Sequence, residues 1–276
     1  MAEHWFCEQN TPGYSVQWKV VQKLHQETTP FQELMFVELE EWGRTLILDG
    51  AVQYTEKDEF IYHEMIAHVP LMSHPRPEKV LIIGGGDGGT LREVLKHPKV
   101  ASVDMVEIDQ RVVETSKVFL PGVASGFDDP RTRLIIDDGI NYVHETKQKY
   151  DVVLVDSSDP VGPAVQLYSR PFYQDVYRAL ADDGMLVVQS ESPLFYGQLF
   201  ASIVGNLKDI FPITRVYLAT VPTYVSGPWS FTAASKTHDP AHIADDTAII
   251  DGLKYYNKQI HQAAFALPQF ILERLG

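Results

Sequence analysis

Only one cysteine, Cys7, occurs in 276 residues. A disulfide within the chain is therefore impossible, and so is a zinc site built on several thiolates. A chain that uses no disulfide suits a reducing cytoplasm. Long apolar runs are missing as well: "VLII" and "VVLV" are strand-like and far shorter than the ~18 residues of a membrane helix. The N-terminal "MAEHWFCEQN" has no basic start followed by an apolar block, so no secretory signal is expected. Positive charge is scarce. There are 23 Lys and Arg against 37 Asp and Glu, for a formal net charge of −14. Nucleic acid is disfavoured as a partner, because lysines and arginines must replace its counterions. A cationic substrate is compatible through long-range steering, although acidic surfaces also serve solubility alone.

What is present is a globular composition, 45% hydrophobic with no low-complexity segment. From residue 14 to about 60 the chain reads as strands and turns, rich in β-branched and aromatic residues, with an Asp-Gly turn at Asp49-Gly50. This predicts a small antiparallel β domain over 1–60. "DEFIYHEMIAHVPLMSH" places Ile61, Met65, Ile66 and Val69 at helical spacing. From Lys79, the apolar runs "VLIIG", "VDMVEID", "TRLIID", "YDVVLVD" and "GMLVVQ" alternate with helical segments. That alternation predicts an α/β domain over 61–276, with a parallel, doubly wound sheet covered on both faces. "ITRVYLATVPTY" and "WSFTAAS" read as a late antiparallel edge, and "AAFALPQFILERL" as a closing helix.

Ligands in such sheets bind beyond the C-terminal strand ends, where nearly every strand here carries an acid. Gly84, Gly86 and Gly89 satisfy G-x-G-x-x-G between a strand and a helix, a weak signal alone. Glu107 follows about 20 residues on, where an acid holds ribose hydroxyls, while Asp109 suits a helix cap. Asp138-Gly139 suits either an adenine contact or a helix start. These features fit NAD and S-adenosyl cofactors alike. Asp87, inside the glycine loop, divides them. It would repel a pyrophosphate or the carboxylate of S-adenosylmethionine, and would welcome a ligand with a cationic end.

"DSSDPVGP" ends the fourth strand with Asp156 and, three residues later, Asp159. Crowded carboxylates raise one another's pKa, and a raised carboxylate can act as base toward an ammonium. The alternative for both is a turn in which aspartates cap the backbone. Tyr62, Tyr173, Tyr177, Tyr224 and Trp229 suit either a groove for methylene chains and cations or the core. "HEMIAH" spaces His63 and His68 five apart, not the four of H-E-x-x-H, and no metal site is expected.

"LDGAVQYTEKDEFIYHEM", "VLIIGGGDGGTLREV", "VEID", "DDG" and "VDSSDPVGPA" together resemble the polyamine aminopropyltransferases, their bacterial spermidine synthase branch most of all. The resemblance runs over almost the whole chain. It implies a Rossmann-like, class I methyltransferase-like fold. It also implies aminopropyl transfer from decarboxylated S-adenosylmethionine, a co-substrate rather than a bound cofactor, to putrescine. The products would be spermidine and methylthioadenosine, and the assembly a cytoplasmic homodimer or homotetramer. Gln32, Glu107, Asp138, Gly139 and Pro163 would then contact the adenosine part. His63, Asp87, Asp156, Ser157, Ser158 and Asp159 would hold the aminopropyl or polyamine chain, with Asp156 as proton acceptor. Gln53, Tyr62 and Tyr224 would complete the groove, and residues 157–167 would cover it. Some relatives carry Gln where this chain has His63. Two rivals remain at this point: a methyltransferase using intact S-adenosylmethionine, which Asp87 opposes, and a non-catalytic polyamine-binding protein.

Overall fold

The computed structural model describes residues 4–158, 162–224, 227–244 and 250–276. Five N-terminal strands form one antiparallel sheet in sequence order: β1 (His4–Thr11), β2 (Tyr14–Thr28), β3 (Glu33–Leu39), β4 (Gly43–Leu48) and β5 (Ala51–Thr55). Asp49 and Gly50 join β4 to β5 with φ of 47° and 82°. Both angles lie in the left-handed region that a tight hairpin demands and that Asp-Gly tolerates. The first strand, β1, was not legible. Its exposed positions mix apolar and polar residues, Trp5 and Cys7 with His4 and Gln9, its buried one is Glu8, and it is ordered by pairing with β2 from His4↔Val20 to Thr11↔Tyr14.

Helix α1 (Glu59–Ser73) leads into the second sheet. Its apolar spacing is as expected, yet every residue except Phe60 is buried. The polar side is covered too: Glu64 accepts three backbone N–H groups, from Lys254, Tyr255 and Tyr256, at 2.7–2.8 Å. A buried carboxylate is tolerated because it is so fully hydrogen-bonded.

The second sheet contains β6 (Lys79–Gly84), β7 (Ser102–Glu107), β8 (Thr132–Ile136), β9 (Tyr150–Asp156), β10 (Leu180–Gln189), β11 (Ile213–Ala219) and β12 (Trp229–Ser235). Its order is β11-β12-β10-β9-β6-β7-β8. The β10-β9-β6-β7-β8 portion is parallel, and β12 runs antiparallel to both β10 and β11. The connecting helices are α2 (Gly89–Leu95), α3 (Gln110–Phe119), α4 (Gly139–Glu145), α5 (Arg170–Ala179) and α6 (Gly197–Ile210). Alternate residues feed two cores. Val80 and Ile82 of β6, with Val152 and Leu154 of β9, pack beneath α1 and α2; Leu81, Ile83, Val153 and Val155 pack against α4, α5 and α6. Burial on both faces explains the unbroken apolar strands. Two elements differ from expectation. α6 was not foreseen, and the closing helix is two, α7 (Lys258–Ala264) and α8 (Gln269–Leu275). Pro268 separates them, since it has no N–H to continue α7.

Register fixes where the strand ends meet. Gly84 pairs with Asp156, Ile83 with Val106, and Glu107 with Ile136, so the polar ends of β6, β7, β8 and β9 form one rim.

Candidate active site

The glycine loop is shaped by what it must touch. Gly84 has φ of 83°, and a Cβ there would stand 2.2 Å from the carbonyl oxygen of Asp156. Only glycine allows β6 to turn this close to β9. The turn delivers Asp87 to the start of α2, where its Oδ1 accepts the Gly89 N–H at 2.6 Å. The loop's negative charge thus occupies the backbone donor that a phosphate or carboxylate would otherwise take.

Asp156, the last residue of β9, is buried. Tyr62 donates to its Oδ1 and Thr90 to its Oδ2, both at 2.7 Å. Burial raises its pKa and the nearby Asp87 raises it further, while His63, Thr90 and Tyr62 offset part of this. His63 is sandwiched, with Nδ1 2.7 Å from Glu59 and Nε2 3.4 Å from Asp87.

A second acidic group lies across the rim. Glu107 accepts the Asp109 N–H at 2.9 Å, and burial pushes its carboxyl up to about 7. Asp109 caps α3 through the Arg111 N–H, as its position suggested. Its other oxygen accepts from Thr29 Oγ1 at 2.7 Å and Gln32 Nε2 at 2.9 Å. Gln32 is therefore held against the second sheet although it belongs to the first. Asp138 caps α4 through the Ile140 N–H at 2.8 Å, so its helix-start role is real and coexists with a place at the rim.

The opposite side is aromatic. Tyr62 and Tyr224 meet edge-on at 5.6 Å, and Tyr224 meets Trp229 at 4.8 Å. The Tyr224 hydroxyl donates to the Gln53 carbonyl at 2.8 Å. Ser157 shares a hydrogen bond of 3.0 Å with Tyr168, whose hydroxyl also donates to the Ser158 carbonyl.

All of this surrounds one cavity of about 190 Å³. Gln32, Gln53, Tyr62, His63, Asp87, Glu107, Asp138, Gly139, Asp156, Ser157, Ser158 and Tyr224 line it. Asp159 lies outside the described residues. Pro163 belongs to a 3-10 turn, Gly162–Tyr168, and its side chain is likewise outside the description. Of the aromatics, Trp229 also lines the cavity, whereas Tyr173 and Tyr177 pack in the core beneath α5.

Several lining residues escaped the sequence reading. Glu191 stands just beyond β10, where the rule that strand ends carry acids would have found it. Glu8 and Asn10 come from β1. Glu8 is buried and accepts from Trp18 Nε1 at 2.8 Å and the Val52 N–H at 3.0 Å. Local sequence gives no sign of that convergence.

Away from the cavity, His74, Asp183 and His238 bring one donor atom each within 4.8 Å of one another. The Arg76 N–H donates to His74 Nδ1 at 3.2 Å, which leaves the ring proton on Nε2 and disfavours a metal there. Among the described residues no helix is long and apolar enough to cross a membrane.

Known proteins share this arrangement. Residues 59–244 match the family profile described as the spermine/spermidine synthase domain, and residues 4–56 match the spermidine synthase tetramerisation domain. The polyamine aminopropyltransferase of Desulforudis audaxviator is 50% identical, and that of Bacillus subtilis 49%, each over 98% of both chains. A spermidine synthase crystallised with the transition-state analogue AdoDATO superposes with a TM-score of 0.94 at 41% identity, covering 99% of this chain and 94% of the other. The Thermotoga maritima spermidine synthase superposes at 0.91 with 40% identity and the same coverage. With its N-terminal and catalytic segments both matched, this chain belongs to the spermine/spermidine synthase family of polyamine aminopropyltransferases.

Proposed function

We propose that the protein transfers the aminopropyl group of decarboxylated S-adenosylmethionine to putrescine, giving spermidine and methylthioadenosine. One observation carries the reading: a buried carboxylate, Asp156, shares a single cavity with Asp87 and with the buried Glu107. Decarboxylation removes the donor's carboxylate and leaves an ammonium, which suits a loop whose first helix N–H is already taken by Asp87. Intact S-adenosylmethionine would bring a second carboxylate to that point, which argues against methyl transfer.

Glu107, Asp138-Gly139, Gln32 and Pro163 hold the adenosine part. His63, Asp87 and the Asp156–Asp159 segment hold the amines, and Gln53, Tyr62 and Tyr224 flank the methylene chain. Putrescine is a diammonium at neutral pH, so its attacking nitrogen first gives a proton to Asp156. The raised basicity of that carboxylate suits the task. The nitrogen lone pair then attacks the aminopropyl carbon while the carbon–sulfur bond breaks. The sulfonium leaves as a neutral thioether, so no metal is required to stabilise a developing anion. In-line alignment of nitrogen, carbon and sulfur supplies much of the acceleration.

Within the chain we place the boundary between the two domains at residues 60–61, close to where the two matched segments meet. The assembly is a homotetramer built through the N-terminal sheet. The single Cys7 fits a cytoplasmic address. Incubation with decarboxylated S-adenosylmethionine and putrescine tests the reaction. Methylthioadenosine and spermidine in equal amounts are expected; methyl transfer, or polyamine binding without turnover, would replace this reading with one of its rivals. Competition among putrescine, cadaverine, agmatine and spermidine ranks the acceptors.

A further inference from the structure

His63 is held more tightly than a substrate contact requires. Its side chain is almost wholly buried, and its ring lies so close to Gly89 that a Cβ there would come within 2.2–2.4 Å of three ring atoms. Glu59 Oε2 meets Nδ1 at 2.7 Å. Glu59 is itself gripped by both terminal nitrogens of Arg92, at 3.0 and 2.8 Å, and the Arg92 Nε binds Glu93 at 2.8 Å. A fork-to-fork pair of this kind fixes orientation as well as charge. Against the opposing effect of burial, His63 and Arg92 bring the Glu59 carboxyl down to about 2.

An ionised carboxylate only accepts, so Nδ1 must carry a proton. Nε2 is left facing Asp87. Without an amine in the cavity, the two acids outweigh burial and hold the ring as a cation, well above its ordinary pKa. The groups that face the ring are Glu59 and Tyr62 on its own helix, Tyr54 on β5 and Asp87 in the loop. Asp156 on β9 acts through space, and Arg92 stands behind Glu59. An ammonium seated on Asp87 would place two cations on one carboxylate. Loss of the Nε2 proton removes the repulsion and creates an acceptor for an ammonium N–H.

We propose that Glu59, locked by Arg92, is a positioning residue: it fixes the Nδ1–H tautomer of His63, so that Nε2 gives up its proton and accepts from the ammonium that docks at Asp87. Docking then releases one proton per amine to solvent. This rests on the reading that the cavity takes cationic amines.

Calorimetric titration of the full-length protein with spermidine, whose aminopropyl ammonium is the one that docks at Asp87, in the presence of methylthioadenosine, at about pH 7.5 and in buffers of different protonation enthalpy, counts the released protons. The wild type is expected to release about one more proton than Glu59→Gln, and Glu59→Asp to regain most of the difference. The comparison between variants isolates the His63 proton from any that the attacking amine hands over. In turnover, Glu59→Gln is expected to raise the KM for decarboxylated S-adenosylmethionine about tenfold with kcat changed far less, the loss of one charge-assisted hydrogen bond. Equal release by wild type and Glu59→Gln would overturn the proposal. If thermal melting shows Glu59→Gln unfolded, His63→Gln takes its place, and equal release by that variant would overturn it as well. Turnover without the extra proton defeats this inference alone, whereas a wild type that neither binds nor converts the amine defeats the functional reading and this inference with it.

Discussion

Asp156 and Glu107 are both buried acids, and the proposed function gives them opposite tasks. Asp156 must take a proton, so Asp156→Asn is expected to lower kcat by about 10²–10⁴ while the protein still melts cooperatively. Some stability is lost, because an amide cannot accept from both Tyr62 and Thr90; about 1–3 kcal/mol is the scale of one orphaned donor. Near-normal turnover would remove Asp156 as the base. Glu107 must instead be ionised to accept ribose hydroxyls. Its carboxyl titrates near about 7 in the fold, above the ordinary 4.5, so the native state binds the extra proton between those values. Stability of the ligand-free protein therefore falls as pH rises from about 4.5 to about 7, and the penalty is complete above that. Glu107→Gln is expected to raise the unfolding free energy at about pH 8 by roughly 3 kcal/mol and to leave it nearly unchanged at about pH 4. The same ionisation makes affinity for methylthioadenosine rise between about pH 6 and pH 8, measurable by calorimetry. Both acids stand out in the sequence because each ends a strand. Thr90, which donates to Asp156, does not, since tertiary packing alone brings it near.

Among the elements, α1 carries the most chemistry for its length. It presents Tyr62 to Asp156 and His63 to Asp87, and holds His63 through Glu59. Its position depends on the bare backbone at the start of α2. Gly89→Ala is expected to push against the His63 ring, at a stability cost of about 1–3 kcal/mol and with loss of turnover. Combining it with His63→Ala removes the obstruction, so denaturant unfolding should find the double variant no less stable than His63→Ala alone. Additive losses would mean that Gly89 matters for another reason. The periodicity of α1 revealed the helix but suggested one apolar stripe. The polar stripe is buried because residues 254–256 close over Glu64, a pairing across 190 positions that no local pattern announces. Likewise β1 exists through its pairing with β2 and the anchoring of Glu8, whereas β6 and β9, apolar on both faces, declare themselves.

At the scale of the molecule, acidic residues outnumber basic ones, 37 to 23. On the proposed function, the field of a net charge of −14 draws in a diammonium and is screened by salt. Raising salt from about 20 to about 500 mM is expected to lower kcat/KM for putrescine several-fold, with a smaller effect on kcat; insensitivity to salt would show that charge serves solubility only. Both halves of the chain are needed for the cavity, since Gln32, Gln53 and Glu8 come from the first sheet and the acids from the second. The pairing of Gly84 with Asp156 also limits how the scaffold can be redesigned. Successive residues of β9 project to opposite layers, so one inserted residue would send the carboxylate into hydrocarbon, whereas two would restore its heading. Segments around the mouth are free of that parity rule. Attempts to fit longer or shorter amines belong there, and not in the strand beneath.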